Sequence, residues 1–207
     1  MGTDITIFAE RKTEDGTWEL VDDPREHNEP YNYPNQKLLP HSVYDGRNYS
    51  LFAILADCRN GTRTEEPFKP IDQPRGVPDD MSELASKLYG DGEGRHNETW
   101  YFVEEITNFD WSQTIQCAGY IDEKFAYLFD GNPLGYPSEE LRRLQNPDAK
   151  PGQATVTSGP AQYSVDGVKV RWRETYRSAA GFFHQQFAPY SKPEQPNSVR
   201  IVMWFSS

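Results

Sequence analysis

The sequence predicts an α+β fold, a mainly antiparallel sheet that holds both the N-terminal and the C-terminal strand, with several helices packed on it. Three observations predict it. Apolar residues alternate near the start, at Ile5, Ile7 and Ala9, and the stretch Val199–Phe205 reads as a strand apolar on both faces. Asp15-Gly16 and Asp166-Gly167 are the dipeptides that favour tight hairpin turns. Helical spacing fills several of the stretches between them. At 207 residues the chain can bury roughly 70% of its unfolded surface. It shows no internal repeat, so residues 1–207 read as one domain.

The elements follow in order. Residues 5–21 form a hairpin, with Trp18 and Leu20 resuming the alternation after the turn. Residues 22–40, rich in Pro, Asn and acids, read as a long flexible loop. Arg47–Arg59 reads as a helix apolar nearly all round, hence buried, ended by Asn60-Gly61. A proline-rich connector leads to a second helix, capped by Asp79 or Asp80, with Met81, Leu84, Ala85 and Leu88 on one face and Gly90 as its stop. The glycine-rich loop 90–97 follows, then an extended Trp100-Tyr101-Phe102 and a helical turn reaching Trp111. Residues 112–150 are the least patterned, with helices read over 121–129 and 139–144. Residues 145–160 read as a second flexible loop. Tyr163, Val165, Val168, Val170 and Trp172 share one face of a second hairpin, and Tyr176, Ala179, Ala180, Phe183 and Phe187 have helical spacing.

Composition excludes some functions. The net charge of −11 argues against indiscriminate binding to nucleic acid or anionic membranes, where Lys and Arg supply the affinity. No apolar run approaches the ~20 residues of a membrane span. The start shows no basic region followed by an apolar one, so a secretory leader is not expected. Cys58 and Cys117 match no metal or redox spacing and read as reduced core thiols in a cytoplasmic protein. The Asn-x-Ser/Thr triplets at Asn48, Asn60 and Asn97 then read as chance matches.

Four groups of residues carry chemistry. Asp4, Asp91, Glu93 and His96, with Glu98 beside them, offer the carboxylate oxygens and imidazole that suit a divalent cation, although the spacing matches no metal motif. The same loop, Gly90-Asp91-Gly92-Glu93-Gly94, fails as a phosphate cradle because it places carboxylates where the phosphate would sit. Lys169, Arg171 and Arg173 line the polar face of the second hairpin, and Arg177 follows one turn into the helix. In so acidic a chain this stripe suits an anionic ligand, or simply protects an edge strand. Arg47 stands at a helix N-terminus, where a cation is unfavourable, so a carboxylate or a ligand must hold it. Nucleophilic catalysis has little support: no Gly-x-Ser-x-Gly elbow occurs, Cys58 reads as core and His184 as an ordinary helix residue.

Met1-Gly2-x-Asp4-Ile5, the helix start Arg47-Asn48-Tyr49-x-Leu51-Phe52-Ala53, Pro74-Arg75-Gly76-Val77-Pro78 and Arg200-Ile201-Val202-x-Trp204-Phe205 together resemble an uncharacterised family of small proteins encoded by bacteriophages and prophages. In that family the opening reads Asp-Ile-His and the glycine-rich loop carries two histidines. Here Thr6 replaces the first histidine, and the loop keeps His96 alone, with Glu98 near the second position. The resemblance implies an accessory protein in the cytoplasm of an infected bacterium, acting against host defence. The leading expectation is a binding protein that sequesters a host phosphorylated nucleotide through Lys169, Arg171, Arg173, Arg177 and Arg47, or blocks a host defence protein with its acidic surface. The second is a metal-dependent phosphoesterase, with a divalent metal on Asp4, Asp91, Glu93 and His96, and Asp91 and His96 as catalytic residues. The third is a virion or structural accessory role.

Overall fold

Strand β1, Asp4–Lys12, pairs antiparallel with β6, Val199–Ser206, so both terminal strands lie in one sheet. A computed structural model describes residues 2–21, 43–44, 46–61, 64–121, 168–181, 183–192 and 194–207. The readings for 22–40, 122–160 and the hairpin arm 163–167 concern residues outside that description. The sheet runs β2-β1-β6-β3, where β2 is Trp18–Leu20 and β3 is Arg95–Phe102. The fold is α+β, as the alternation at both ends predicts.

Helix α1, Tyr49–Ala56, covers one face of this sheet. Its Phe52 ring meets Phe205 edge-on at 5.1 Å, in a core that includes Ile5, Ile7, Tyr101, Ile201 and Met203. Helix α2, Glu83–Tyr89, covers the other face, where Phe8, Val202 and Trp204 meet Leu88, Tyr89 and Trp100. β6 is therefore sandwiched, which is why it reads apolar on both sides. Helix α3, Val103–Asn108, follows β3 directly. β4, Thr114–Ile121, pairs antiparallel with β5, Val168–Thr175, in a second sheet whose Ile115, Cys117, Val170 and Trp172 join the α1 core.

Several boundaries differ from the sequence reading. The first helix begins after Asn48, whose side chain accepts from the Leu51 N–H at 3.1 Å, so Arg47 lies outside it. It ends at Asp57, left-handed at φ 54, whose N–H donates to the Ala53 carbonyl. Asn60 instead clasps Phe68, its amide nitrogen on the Phe68 carbonyl and its oxygen on the Phe68 N–H, both at 2.8 Å. The second helix is capped by Ser82, because Asp80 is engaged by Arg200 and Trp18. Ala85 is the buried residue of α2, and Leu84 is 44% exposed. Beyond Thr175 the chain makes only a four-residue helix α4, Tyr176–Ala179, because Gly181 turns left-handed at φ 62. A 3-10 helix, Phe183–Tyr190, then keeps Phe183 and Phe187 buried. Val168 is 40% exposed, while Val170 and Trp172 face the core.

A charged network lies in the sheet interior. Arg200 and Glu10 are register neighbours on β6 and β1, 2% and 0% exposed. Arg200 Nε donates to Glu10 Oε2 at 2.7 Å, Nη1 to Asp80 Oδ1 at 2.5 Å and Nη2 to the Asp80 carbonyl at 3.0 Å. The remaining Glu10 oxygen accepts from the Ser82 N–H at 2.7 Å. The guanidinium lies 4.0 Å from the Trp18 ring centroid. These contacts fasten the start of α2 to the sheet.

Candidate functional site

The sheet end formed by β1, β6 and β3 gathers three of the candidates, Asp4, Arg47 and His96. The register sets Asp4 and Arg95 on either side of Ser206, and Ile5 and His96 on either side of Phe205. Asp4 is the carboxylate that holds Arg47, accepting from its Nε at 3.0 Å. The hydrogen bond and the charge of Asp4 hold the Arg47 guanidinium above its ordinary pKa.

His96 sits at the end of a directional hydrogen-bond chain. A register shift in β3 lies between His96 and Thr99, with Asn97 left-handed at φ 51. The Asn97 amide donates to the Ala56 carbonyl at 2.9 Å, which turns its Oδ1 to His96 Nδ1 at 2.8 Å. Nδ1 therefore carries a proton, and in the neutral ring Nε2 accepts from Ser207 Oγ at 3.0 Å. Ser207 in turn shares a 2.8 Å bond with Thr3 Oγ1, which accepts from Arg59 Nε at 2.8 Å. Each donor in this chain meets an acceptor, so it ties the ends of three strands to the end of α1.

Cys58 Sγ lies 4.0 Å from His96 Nδ1, a proximity that sequence spacing does not reveal. The geometry does not make a nucleophile and base: Nδ1 already holds its proton against Asn97. Burial pushes the Cys58 thiol up to about 11, so it stays protonated at neutral pH. Burial likewise pushes Cys117 up to about 12, with Glu174 adding to the effect.

The acidic candidates are dispersed. Asp91 accepts from the Glu93 N–H at 3.0 Å within its own turn, and Glu98 accepts from the Tyr89 hydroxyl at 3.0 Å. Among the described residues no group of three or more His, Cys, Asp or Glu stands together in a way that could hold a metal ion. Asp4, Asp91, Glu93 and His96 are thus not brought into one metal-sized group.

The basic stripe is split by a residue the sequence reading did not single out. Glu65 lies beside β4, its N–H donating to the Gln116 carbonyl, and it takes both Lys169, at 2.7 Å, and Arg171, at 2.8 Å. Those two hydrogen bonds, Lys169 first, hold the Glu65 carboxyl below its ordinary pKa. Arg173 and Arg177 are exposed. Arg173 donates to Thr114 Oγ1 at 2.6 Å, and neither arginine has a carboxylate partner among the described residues. Arg177 lies near His184, which stacks on Trp111 with centroids 5.3 Å apart. Burial, with the Arg177 charge adding to it, pushes His184 below its ordinary pKa.

The three Asn-x-Ser/Thr asparagines have structural work: Asn48 caps α1 and donates to the Ala179 carbonyl, Asn60 clasps Phe68, and Asn97 orients His96. No helix among the described residues is long and apolar enough to cross a membrane. No protein-family model, curated protein or solved structure matches the chain.

Proposed function

We propose that the chain is a binding protein of bacteriophage origin, which acts against host defence in the infected cytoplasm by sequestering a phosphorylated nucleotide. The anion is held on the exposed face of β5 and α4 by Arg173 and Arg177. The observation that carries this reading is their electrostatic situation: two exposed guanidiniums without a carboxylate partner among the described residues, in a chain of net charge −11. Guanidinium forks match phosphate oxygens two at a time. Lys169 and Arg171 already share Glu65, and Arg47 already holds Asp4, so these three assist only through their field.

The test is retention. Purified protein is incubated with a panel of phosphorylated nucleotides and Mn²⁺, filtered and heated, and both fractions are run by mass spectrometry. An intact nucleotide released only on heating is expected. The double variant Arg173→Ala/Arg177→Ala should retain at least about tenfold less, two good charge-assisted contacts being far more than the 1.4 kcal/mol this corresponds to. Its thermal unfolding should match that of the wild type, since both side chains are exposed. Glu65→Gln should retain more, because it releases Lys169 and Arg171. Equal retention by the double variant would overturn the site. Shortened nucleotides in the filtrate would replace sequestration with phosphoesterase activity. Failure to retain any nucleotide would turn the search to a host protein.

A further inference from the structure

Trp111 holds His184 beside Arg177. Its indole is buried and donates from Nε1 to the Ile106 carbonyl at 2.7 Å, which anchors the ring to α3. Its own carbonyl accepts from the Arg177 N–H at 2.9 Å, which seats the start of α4. His184, from the 3-10 helix, lies on the same indole with ring centroids 5.3 Å apart and planes at 24°. A guanidinium without a carboxylate partner among the described residues and a half-buried imidazole therefore share one rigid support. The other charges nearby are committed elsewhere. The 3-10 helix carries none besides His184. On α3, which packs against that helix, Glu105 pairs with Arg75 and Glu104 accepts from the Asn197 N–H at 3.3 Å. Asp110, next to Trp111, accepts from the Ser112 N–H and hydroxyl. Glu174, at the end of β5, accepts from Ser178 Oγ at 3.0 Å and Trp172 Nε1 at 3.3 Å. Arg177 is the charge that acts on the imidazole.

Two cations side by side repel, so Arg177 disfavours a charged His184 while no anion is present. An anion seated on Arg177 reverses that field. We infer that His184 is the third group of the anion site, joining Arg173 and Arg177 as an imidazolium when a doubly charged terminal phosphate is bound. The inference rests on the anion site proposed above and narrows its ligand class. A third cation strengthens the hold on a dianion about twice as much as the hold on a monoanion, because the attraction scales with charge. The site therefore favours a terminal phosphate over a phosphodiester. Binding takes up one proton from solvent onto His184. By reciprocity, affinity rises as pH falls through the range in which the imidazole titrates.

The experiment is a pair of NMR titrations of the full chain, with sulfate and with dimethyl phosphate, at constant ionic strength made up with chloride. They run across about pH 5 to 8, where histidine changes charge. Sulfate stays a dianion and dimethyl phosphate a monoanion over that range, so neither ligand adds a titration of its own. The amide signals of Arg173 and Arg177 report binding, and the imidazole signal that His184→Gln removes reports the proton. Saturating sulfate is expected to raise the titration midpoint of His184, and sulfate should bind at least about threefold more tightly at the acid end than at the alkaline end. Dimethyl phosphate should bind more weakly and with less pH dependence. In His184→Gln the pH dependence should vanish while binding at the alkaline end is kept. Arg177→Gln alters an exposed side chain and should fold; it should raise the His184 midpoint without ligand and leave it indifferent to sulfate. A His184 midpoint that ignores bound sulfate would overturn this role and leave Arg173 and Arg177 standing as the anion site. A midpoint that still rises with sulfate in Arg177→Gln would mark a general salt response and overturn it too. So would the absence of saturable sulfate binding, and nucleotide retention then decides whether the anion site itself survives.

Discussion

Replacing Arg200 with methionine is expected to cost about 3–5 kcal/mol of unfolding free energy at pH 7, measured by urea denaturation with the slope checked for constancy. The cost arises less from lost attraction than from what remains. Glu10 is fully buried, and without Arg200 its carboxylate keeps the Ser82 N–H as its donor among the described residues. A buried carboxylate short of partners is what makes breaking such a pair costly. The double variant Glu10→Gln/Arg200→Met removes both charges and should recover much of the loss. A single-variant cost below about 1 kcal/mol would show that the interior here is wetter than its burial implies.

The same network has a pH signature. The hydrogen bond from Arg200 holds the Asp80 carboxyl below its ordinary pKa, burial opposing it and Trp18 Nε1 helping. A carboxylate lowered in the folded state contributes stability above its unfolded pKa, and loses it as pH falls through the lower folded value. Wild type should therefore weaken as pH drops below about 4. Arg200→Met has no such contribution from Asp80. The stability gap between the two proteins should hold from pH 7 to about pH 5 and narrow as pH falls below about 4, and a gap constant down to pH 3 would contradict this account.

Arg200 also shows where sequence reasoning stops. Its neighbours Val199, Ile201 and Val202 mark a strand buried on both faces, and that strand is where expected, paired with β1. A charged residue within such a strand reads as pointing outward. Its partners, Glu10 and Asp80, are 190 and 120 residues away, and only the fold brings them together. Glu65 is hidden likewise, 106 residues from the Arg171 it neutralises. β4 escaped for a different reason. Thr114–Ile121 alternates weakly, with Gln116 and Gly119 among its members, and its inward side is carried by Ile115 and the small Cys117. That Arg47 needs a carboxylate or a ligand was legible, but not that Asp4, 43 residues away, is its partner. His96 was legible only as a residue type, since the partners that define it come from Asn97, Ser207 and the end of α1.

Phe52→Ala should be the most damaging apolar truncation on α1, costing about 3–5 kcal/mol by urea denaturation. The ring is fully buried, edge-on to Phe205 at 5.1 Å and to Tyr49 at 5.7 Å, and its removal leaves a cavity between helix and sheet that the flanking strands cannot close. Leu84→Ala is the contrasting case. Sequence spacing gives Leu84 and Phe52 the same standing, each on the apolar stripe of a helix, yet Leu84 is 44% exposed and its truncation should stay within about 0.5 kcal/mol. The difference tests the layering itself, because only a helix seated between two apolar surfaces makes Phe52 costly. Equal costs at Phe52 and Leu84 would mean that α1 is not the wedge on which the core depends.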